Sequence, residues 1–178
     1  MCGKVIKAIN ISIYKLSSEK YIDEYWAIDN IISEINAMKT LNNTKVSKKM
    51  HDYWMSSENG IVIIYIMMDF KGISLQKWKM DNIFTEKHKE TIEEKIKIMH
   101  NKGIIHKDLH DNNILVNIEK DKPEFYITDF GLSKTKQTLF EEMKARDYMR
   151  FNKGENEYFL SLFIIKICSI LDIKVIET

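Results

Sequence analysis

His106-Lys107-Asp108-Leu109-His110-Asp111-Asn112-Asn113 lies between two short apolar runs, and Thr128-Asp129-Phe130-Gly131-Leu132-Ser133 follows another. Asp129 stands twenty-one residues after Asp108. Between the two stretches, residues 114–117 and 125–128 read as short strands, joined by a turn expected at Asp121-Lys122-Pro123. An Asp followed closely by Gly at a strand end is an ordinary turn and carries little by itself. Loop capping alone does not account for the ordered conjunction of H-x-D-x-x-x-x-N, an Ile-Leu-Val run, a turn and D-F-G.

The surrounding chain bounds what this pattern can serve. Its 178 residues and 21.1 kDa suit one domain, with 44% hydrophobic and 30% charged residues, enough to bury a core. Lys+Arg is 27 against Asp+Glu 26, so the net charge of +1 gives no electrostatic case for nucleic acid or an acidic membrane as partner. Cys2 and Cys168 are the only cysteines, which excludes a disulfide-dense scaffold and a four-cysteine zinc site. The apolar stretch 158–171 contains Lys166 and falls short of the ~20 residues a span needs, so it reads as a buried helix. Lys4 and Lys7 interrupt the apolar start, so no signal peptide is expected and the compartment reads as cytoplasmic. Only Arg146 and Arg150 are arginines, and Ile and Asn are in excess. This AT-rich bias and the economy of length point to a viral or parasite source, and then to the host cytoplasm.

Periodicity supplies the elements. Residues 5–16 alternate and read as a strand; 23–41 read as a helix with Trp26, Ile31, Ile35, Met38 and Leu41 on its apolar face, stopped at Asn42-Asn43. Residues 50–55 read as a strand, 57–60 as a turn, and the apolar run 61–68 as a strand buried on both faces. Thr85 is the expected N-cap of a helix over 87–101, with Ile92, Ile96 and Met99 on one face and Gly103 ending it. Helices are expected over 140–150 and 157–171. A sheet-rich first part, 1–70, and a mainly helical second part, 71–178, suggest two lobes of a single domain with a cleft between them.

In order and spacing, these motifs resemble the catalytic core of the eukaryotic-type protein kinase superfamily. The resemblance covers about residues 4–150 and is strongest over 100–133. It implies an α+β, two-lobed protein-kinase-like fold, with ATP and Mg²⁺ as cofactors and a protein hydroxyl as acceptor. Asp108 would be the carboxylate beside the attacking hydroxyl, and Asn113 and Asp129 would offer the hard oxygen ligands that Mg²⁺ prefers. Phe130 would pack beneath the cleft. Met68-Asp69-Phe70-Lys71-Gly72 resembles the hinge between kinase lobes, with Met68 beside the adenine and the backbone of Asp69 and Lys71 bonding the base. Glu34 resembles the ion-pairing Glu of the kinase helix. Its partner would be Lys7, in Lys4-Val5-Ile6-Lys7, or else Lys15, which lies closer to Glu34 in sequence.

The departures from the family pattern are equally specific. Glycines stand at 3, 60, 72, 103, 131 and 154, so there is no G-x-G-x-x-G. A truncated N-lobe without the glycine-rich loop is therefore expected, and an abbreviated helical C-lobe, since no A-P-E follows D-F-G. Lys107 replaces the usual Arg before the catalytic Asp. His110 stands where Ser/Thr kinases carry a phosphate-contacting Lys, and a His there also occurs in aminoglycoside-type phosphotransferases. Lys144-Ala145-Arg146-Asp147 resembles the small tRNA-modification (KEOPS) kinases, where the Asp supports the catalytic loop. The leading expectation is a serine/threonine protein kinase. The alternatives are a small-molecule phosphotransferase and a catalytically weak, kinase-like decoy.

Overall fold

The computed structural model describes residues 3–12, 21–58, 61–134 and 174–176. The expected helices over 140–150 and 157–171, Lys15 and Asp147 lie outside these residues. Strands β1 (Lys4–Ser12), β2 (Met50–Glu58) and β3 (Ile61–Asp69) form a sheet in the order β1-β3-β2. A fourth strand, β7 (Lys174–Ile176), adds parallel to β2 and had no counterpart in the sequence reading. Helix α1 (Tyr21–Leu41) packs on this sheet. A second, antiparallel sheet comprises β4 (Ile73–Ser74), β5 (Ile114–Glu119) and β6 (Lys122–Ile127), accompanied by helices α2 (Leu75–Asp81) and α3 (Glu86–Asn101).

The central strand β3 buries Val62, Ile64, Ile66 and Met68 and leaves Ile63, Tyr65 and Met67 half-buried. The expected burial on both faces is thus corrected to one. The helix covers a single face, and on the other Trp54 and Tyr65 stack with ring centroids 5.2 Å apart. In β1, Val5, Lys7 and Ile9 stand opposite Met68, Ile66 and Ile64. Directly opposed residues share a face, so the period of two points Lys7 to the core side.

Around α1 the expected apolar stripe is widened. Ile31, Ile35, Met38 and Leu41 are buried, and so are Ser33, Glu34 and Asn36. The helix is enclosed by the sheet on one side and by a 3₁₀ turn, Phe130–Leu132, on another, so its polar positions lose water too. Its core partners include Met99, Ile104, Ile127 and Phe130. Each such side chain contributes roughly 1.5–3 kcal/mol on burial.

Asn42 ends the helix as expected and also brackets Met50. Its Nδ2 donates to the Met50 carbonyl at 2.9 Å, and its Oδ1 accepts the Met50 N–H at 2.7 Å. The connection that follows ties the two sheets together. The Val46 carbonyl accepts from Ile127 N–H at 2.8 Å, and the Lys49 carbonyl accepts from Asp69 N–H at 2.9 Å.

Helix α3 starts after Thr85, whose N–H donates to His88 Nδ1 at 3.3 Å, and ends at Gly103 with φ +76°. Helix α2 was not anticipated, because seven residues are too few for a helical period. Its signal was Ser74, whose Oγ accepts Lys77 N–H at 3.3 Å. The helix buries Leu75 and Trp78 against Ile92, Ile114, Val116 and Phe125.

Two turn assignments are corrected. The hairpin turn after β5 is Lys120-Asp121, both with positive φ (50° and 63°), as a two-residue connection requires. Pro123 instead pairs opposite Ile118 in the edge strand β6, where a missing N–H is tolerated. Ser57 and Glu58 continue β2 rather than turning.

Gly72 ends the crossing between the sheets at φ +64°, and a Cβ there would lie 1.8 Å from the Val116 carbonyl oxygen. Gly72→Ala should therefore cost about 3 kcal/mol or more, because both the backbone and β5 must shift. At Gly103 a Cβ meets nothing within 4 Å, so Gly103→Ala should cost only about 1 kcal/mol of backbone strain. Urea midpoints of the two variants against wild type check this; equal midpoints would refute it.

Candidate active site

Strand β1 and helix α1 bring Lys7 and Glu34 together: Lys7 Nζ donates to Glu34 Oε2 at 2.6 Å. The pairing is asymmetric, since the lysine side chain is 41% exposed and the glutamate 7%. Lys7 Nζ also lies 3.8 Å from Asp129 Oδ1. A cleft of about 430 Å³ opens here, lined by Lys7, Asn30, Glu34, Asp108 and Asp129 with Ile9 among its apolar wall.

Asp108 is held by the loop before β5. Its N–H donates to His106 Nδ1 at 3.3 Å. Its carbonyl and Oδ2 accept from Asn113 Nδ2 at 2.9 and 3.3 Å. His106 is buried, with Nε2 2.9 Å from the Thr128 carbonyl, so the Nε2–H tautomer satisfies both of its bonds. Its ring lies 5.1 Å from that of Phe130, which is buried beneath the cleft as expected. His110 Nδ1 accepts Asn112 N–H at 3.2 Å, and its Nε2 lies 3.7 Å from Asp108 Oδ2.

The β5–β6 pairing ends with Thr128 N–H donating to the Asn113 carbonyl at 2.9 Å. Asp129 follows in the left-handed region, φ 62° and ψ 65°. Asp tolerates that conformation better than most residues, and it swings the carboxylate toward the cleft. A Cβ on Gly131 would lie 3.6 Å from Asn30 Cβ, so this turn runs close against α1.

The expected hinge residues do not line the cleft. Met68 is buried on the core face of β3. Asp69 N–H is committed to the Lys49 carbonyl, so of its backbone groups only the carbonyl is left to bond a base; its carboxylate pairs with His51 Nε2 at 2.6 Å. The Lys71 side chain turns to Glu119 Oε1 at 3.4 Å and lies 4.7 Å from the Tyr126 ring centre. Burial pulls the Lys71 ammonium down, but Tyr126 and Glu119 outweigh it and hold the group above the ordinary lysine range. Hydrogen bonds from Tyr126 and Asn117 hold Glu119 below the usual carboxylate range.

Three residues at or around this cleft were missed or underread. Asn30 lines the cleft one helical turn before Glu34, a spacing that could have found it. His106 organises the loop. Lys48 sits in an aperiodic connection that gave no signal; burial lowers its pKa, against the opposing pull of Glu34 and Asp129 and with the push of Lys7.

The protein kinase domain model matches residues 1–151. The chain belongs to the protein kinase family. It is similar to the serine/threonine-protein kinase CST20 of Candida albicans, 29% identical over 106 residues, 57% of this chain and 8% of that protein. It is also similar to the serine/threonine-protein kinase AtPK2/AtPK19 of Arabidopsis thaliana, 28% identical over 127 residues, 57% of this chain and 26% of that protein. The chain thus matches well under half the length of these relatives.

Protein kinase domains in general use ATP and Mg²⁺. The donor set here fits that ion. Asn113 Nδ2 is spent on Asp108, which leaves its Oδ1 as a hard acceptor, and Asp129 is more than half exposed. No group of three or more His, Cys, Asp or Glu that could cage a metal occurs among the described residues. Mg²⁺ takes one or two protein oxygens and completes its shell with phosphate and water, so Asn113 Oδ1 and the Asp129 carboxylate suffice as protein ligands.

His106→Leu should destabilise the fold by about 2–3 kcal/mol, because it strips the Thr128 carbonyl and the Asp108 N–H of their partner in a buried setting. A chemical melt checks this. A loss under about 0.5 kcal/mol, the spread of neutral surface changes, would show that the loop does not depend on the imidazole.

Proposed function

We propose that the chain is an ATP-dependent phosphotransferase of the serine/threonine protein kinase type. The observation that carries this reading is the convergence of Lys7, Glu34, Asp108 and Asp129 on one cleft. In this reading residues 1–70 and 71–178 act as two lobes. Asn113 and Asp129 would hold Mg²⁺, which would supply positive charge against the phosphates. The adenine would lie beyond the residues that line this cleft, toward the end of β3, with Met68 beneath it and the Asp69 carbonyl and Lys71 backbone bonding the base.

The roles of the chain's own groups follow from their settings. Glu34, buried and fixed on α1, orients Lys7, whose ammonium is free to turn toward the α- and β-phosphates. Asn113 anchors Asp108, so its carboxylate can align an acceptor hydroxyl and take its proton late in transfer. His110, beside Asp108, supplies a polar contact to the transferred group in place of a lysine. Its presence favours, as a second reading, a small-molecule hydroxyl as acceptor.

Asp108→Asn keeps the shape and removes the base, so transfer should fall by about a hundredfold or more. The melting temperature should barely move, since Asp108 is a loop residue with its backbone bonds retained. Asp129→Asn should weaken Mg²⁺-dependent ATP binding. The measurements are phosphate transfer from labelled ATP to serine and threonine peptides and to small alcohols, with calorimetric ATP binding. Full activity in the Asp108 variant would remove that residue from the mechanism. ATP binding without transfer in wild type would leave a binding-only decoy.

A further inference from the structure

Tyr126 is 5% exposed yet belongs to neither of the two apolar clusters. The pairing of β5 with β6 sets Phe125 opposite Val116, both in the cluster that buries α2, and so turns Tyr126 to the other face with Asn117 and Glu119. Its partners there are polar. The phenol donates to Glu119 Oε1 at 2.9 Å, and the same oxygen accepts from Asn117 Nδ2 at 3.0 Å and from Lys71 Nζ at 3.4 Å. Two ammonium groups lie over the ring, Lys71 at 4.7 Å and Lys95 at 5.4 Å from its centroid. Each lysine leads to a different connection between the sheets. Lys71 stands on the crossing 70–72, between Phe70, whose N–H donates to the Gly3 carbonyl at 2.8 Å, and Gly72, which lies against β5. Its side chain is only 11% exposed. Lys95, on α3, donates from Nζ to the Lys45 carbonyl at 2.8 Å. Lys45 opens the stretch whose Lys49 carbonyl accepts the Asp69 N–H. The end of β3 is thus tied to one tyrosine along two routes.

We propose that Lys71 is a positioning residue for the base site: its side chain, clamped on Glu119 and the Tyr126 ring, fixes the 69–71 backbone that bonds the adenine. The clamp itself stands on the fold alone. Its consequence for the base rests on the proposed function. A buried phenol needs an acceptor, and an ionised carboxylate is a strong one. An ammonium over an aromatic face is attracted by the ring, the more so when it is withdrawn from water. These contacts draw the Lys71 side chain back onto the β5–β6 hairpin and leave its peptide groups at the crossing. Lys95 steadies the other route by holding Lys45 to α3. The cluster contains none of the residues that line the cleft of Lys7, Asp108 and Asp129, so it acts on the base and not on the phosphates.

Two measurements on the full chain test this and fail separately. Denaturation of wild type, Lys71→Met, Glu119→Gln and the double variant reads the clamp without ligand. Lys71→Met should lower the folding constant by about fivefold more in the wild-type background than in Glu119→Gln, as expected of residues in one network. Equal losses in both backgrounds would overturn the proposal. Lys71→Gln repeats the cycle should the Met variant not fold. Calorimetry then compares Mg²⁺–ATP with Mg²⁺–tripolyphosphate, which carries the phosphates without the base. Lys71→Met should bind ATP about fivefold more weakly, the cost of ordering a freed segment, and tripolyphosphate as wild type does. Lys71→Arg keeps a cation over the ring and should restore ATP affinity, which a general loosening of the fold would not do. An equal loss for both ligands, or unchanged ATP affinity in Lys71→Met, would overturn the positioning role. Coupling of Lys71 to Glu119 in a wild-type chain that binds no Mg²⁺–ATP would support the clamp and sink the kinase reading instead.

Discussion

A carboxylate on the buried side of a helix is the constraint around which this molecule is arranged. Glu34 is surrounded by residues that exclude water, and the effective penalty for an isolated buried ion is several kcal/mol. The fold answers by placing β1 so that Lys7, on its core face, reaches the carboxylate at 2.6 Å. That requirement fixes the register of β1 on β3. A slip of one residue would send Lys7 to the outer face and put Ile6 or Ala8 against Glu34. The charge pair thus specifies an arrangement more than it stabilises one.

The second half of the site depends on the first through shared neighbours. Phe130 is buried in the same core cluster as Ile31, Ile35 and Met38, so the turn carrying Asp129 rests on the helix that carries Glu34. His106 packs at a tilt against Phe130 and bonds both Thr128 and Asp108. A displacement of α1 would therefore reach Asp108 through packed side chains and two hydrogen bonds. Cleft geometry and core packing are the same structure seen from two sides.

Much of this was legible in the chain. The apolar run of β3, the alternation in β1 and the cap at Thr85 are local signals, and each produced its element. Lys7 could be paired with Glu34 only through the family resemblance, because no local rule links positions 27 apart. What escaped reading lacked a local signature. A seven-residue helix shows no period, and the Lys120-Asp121 turn places a lysine at positive φ, where lysine is seldom found, while the nearby proline drew the turn too far along. Burial of Ser33 and Asn36 could not be read at all, since it is imposed by what packs on the helix rather than by the helix itself. The hinge assignment was half informative: the strand end is where it was expected, but its N–H and its side chains serve the scaffold.

Lys48 sharpens that distinction between local pattern and assembled environment. In sequence it is one lysine among 25, in a stretch of polar residues with no period. In the fold its backbone is trapped between β6 and the end of β3, and its side chain is withdrawn from water far enough for burial to lower its pKa, an environment set by the assembly and not by its neighbours in sequence.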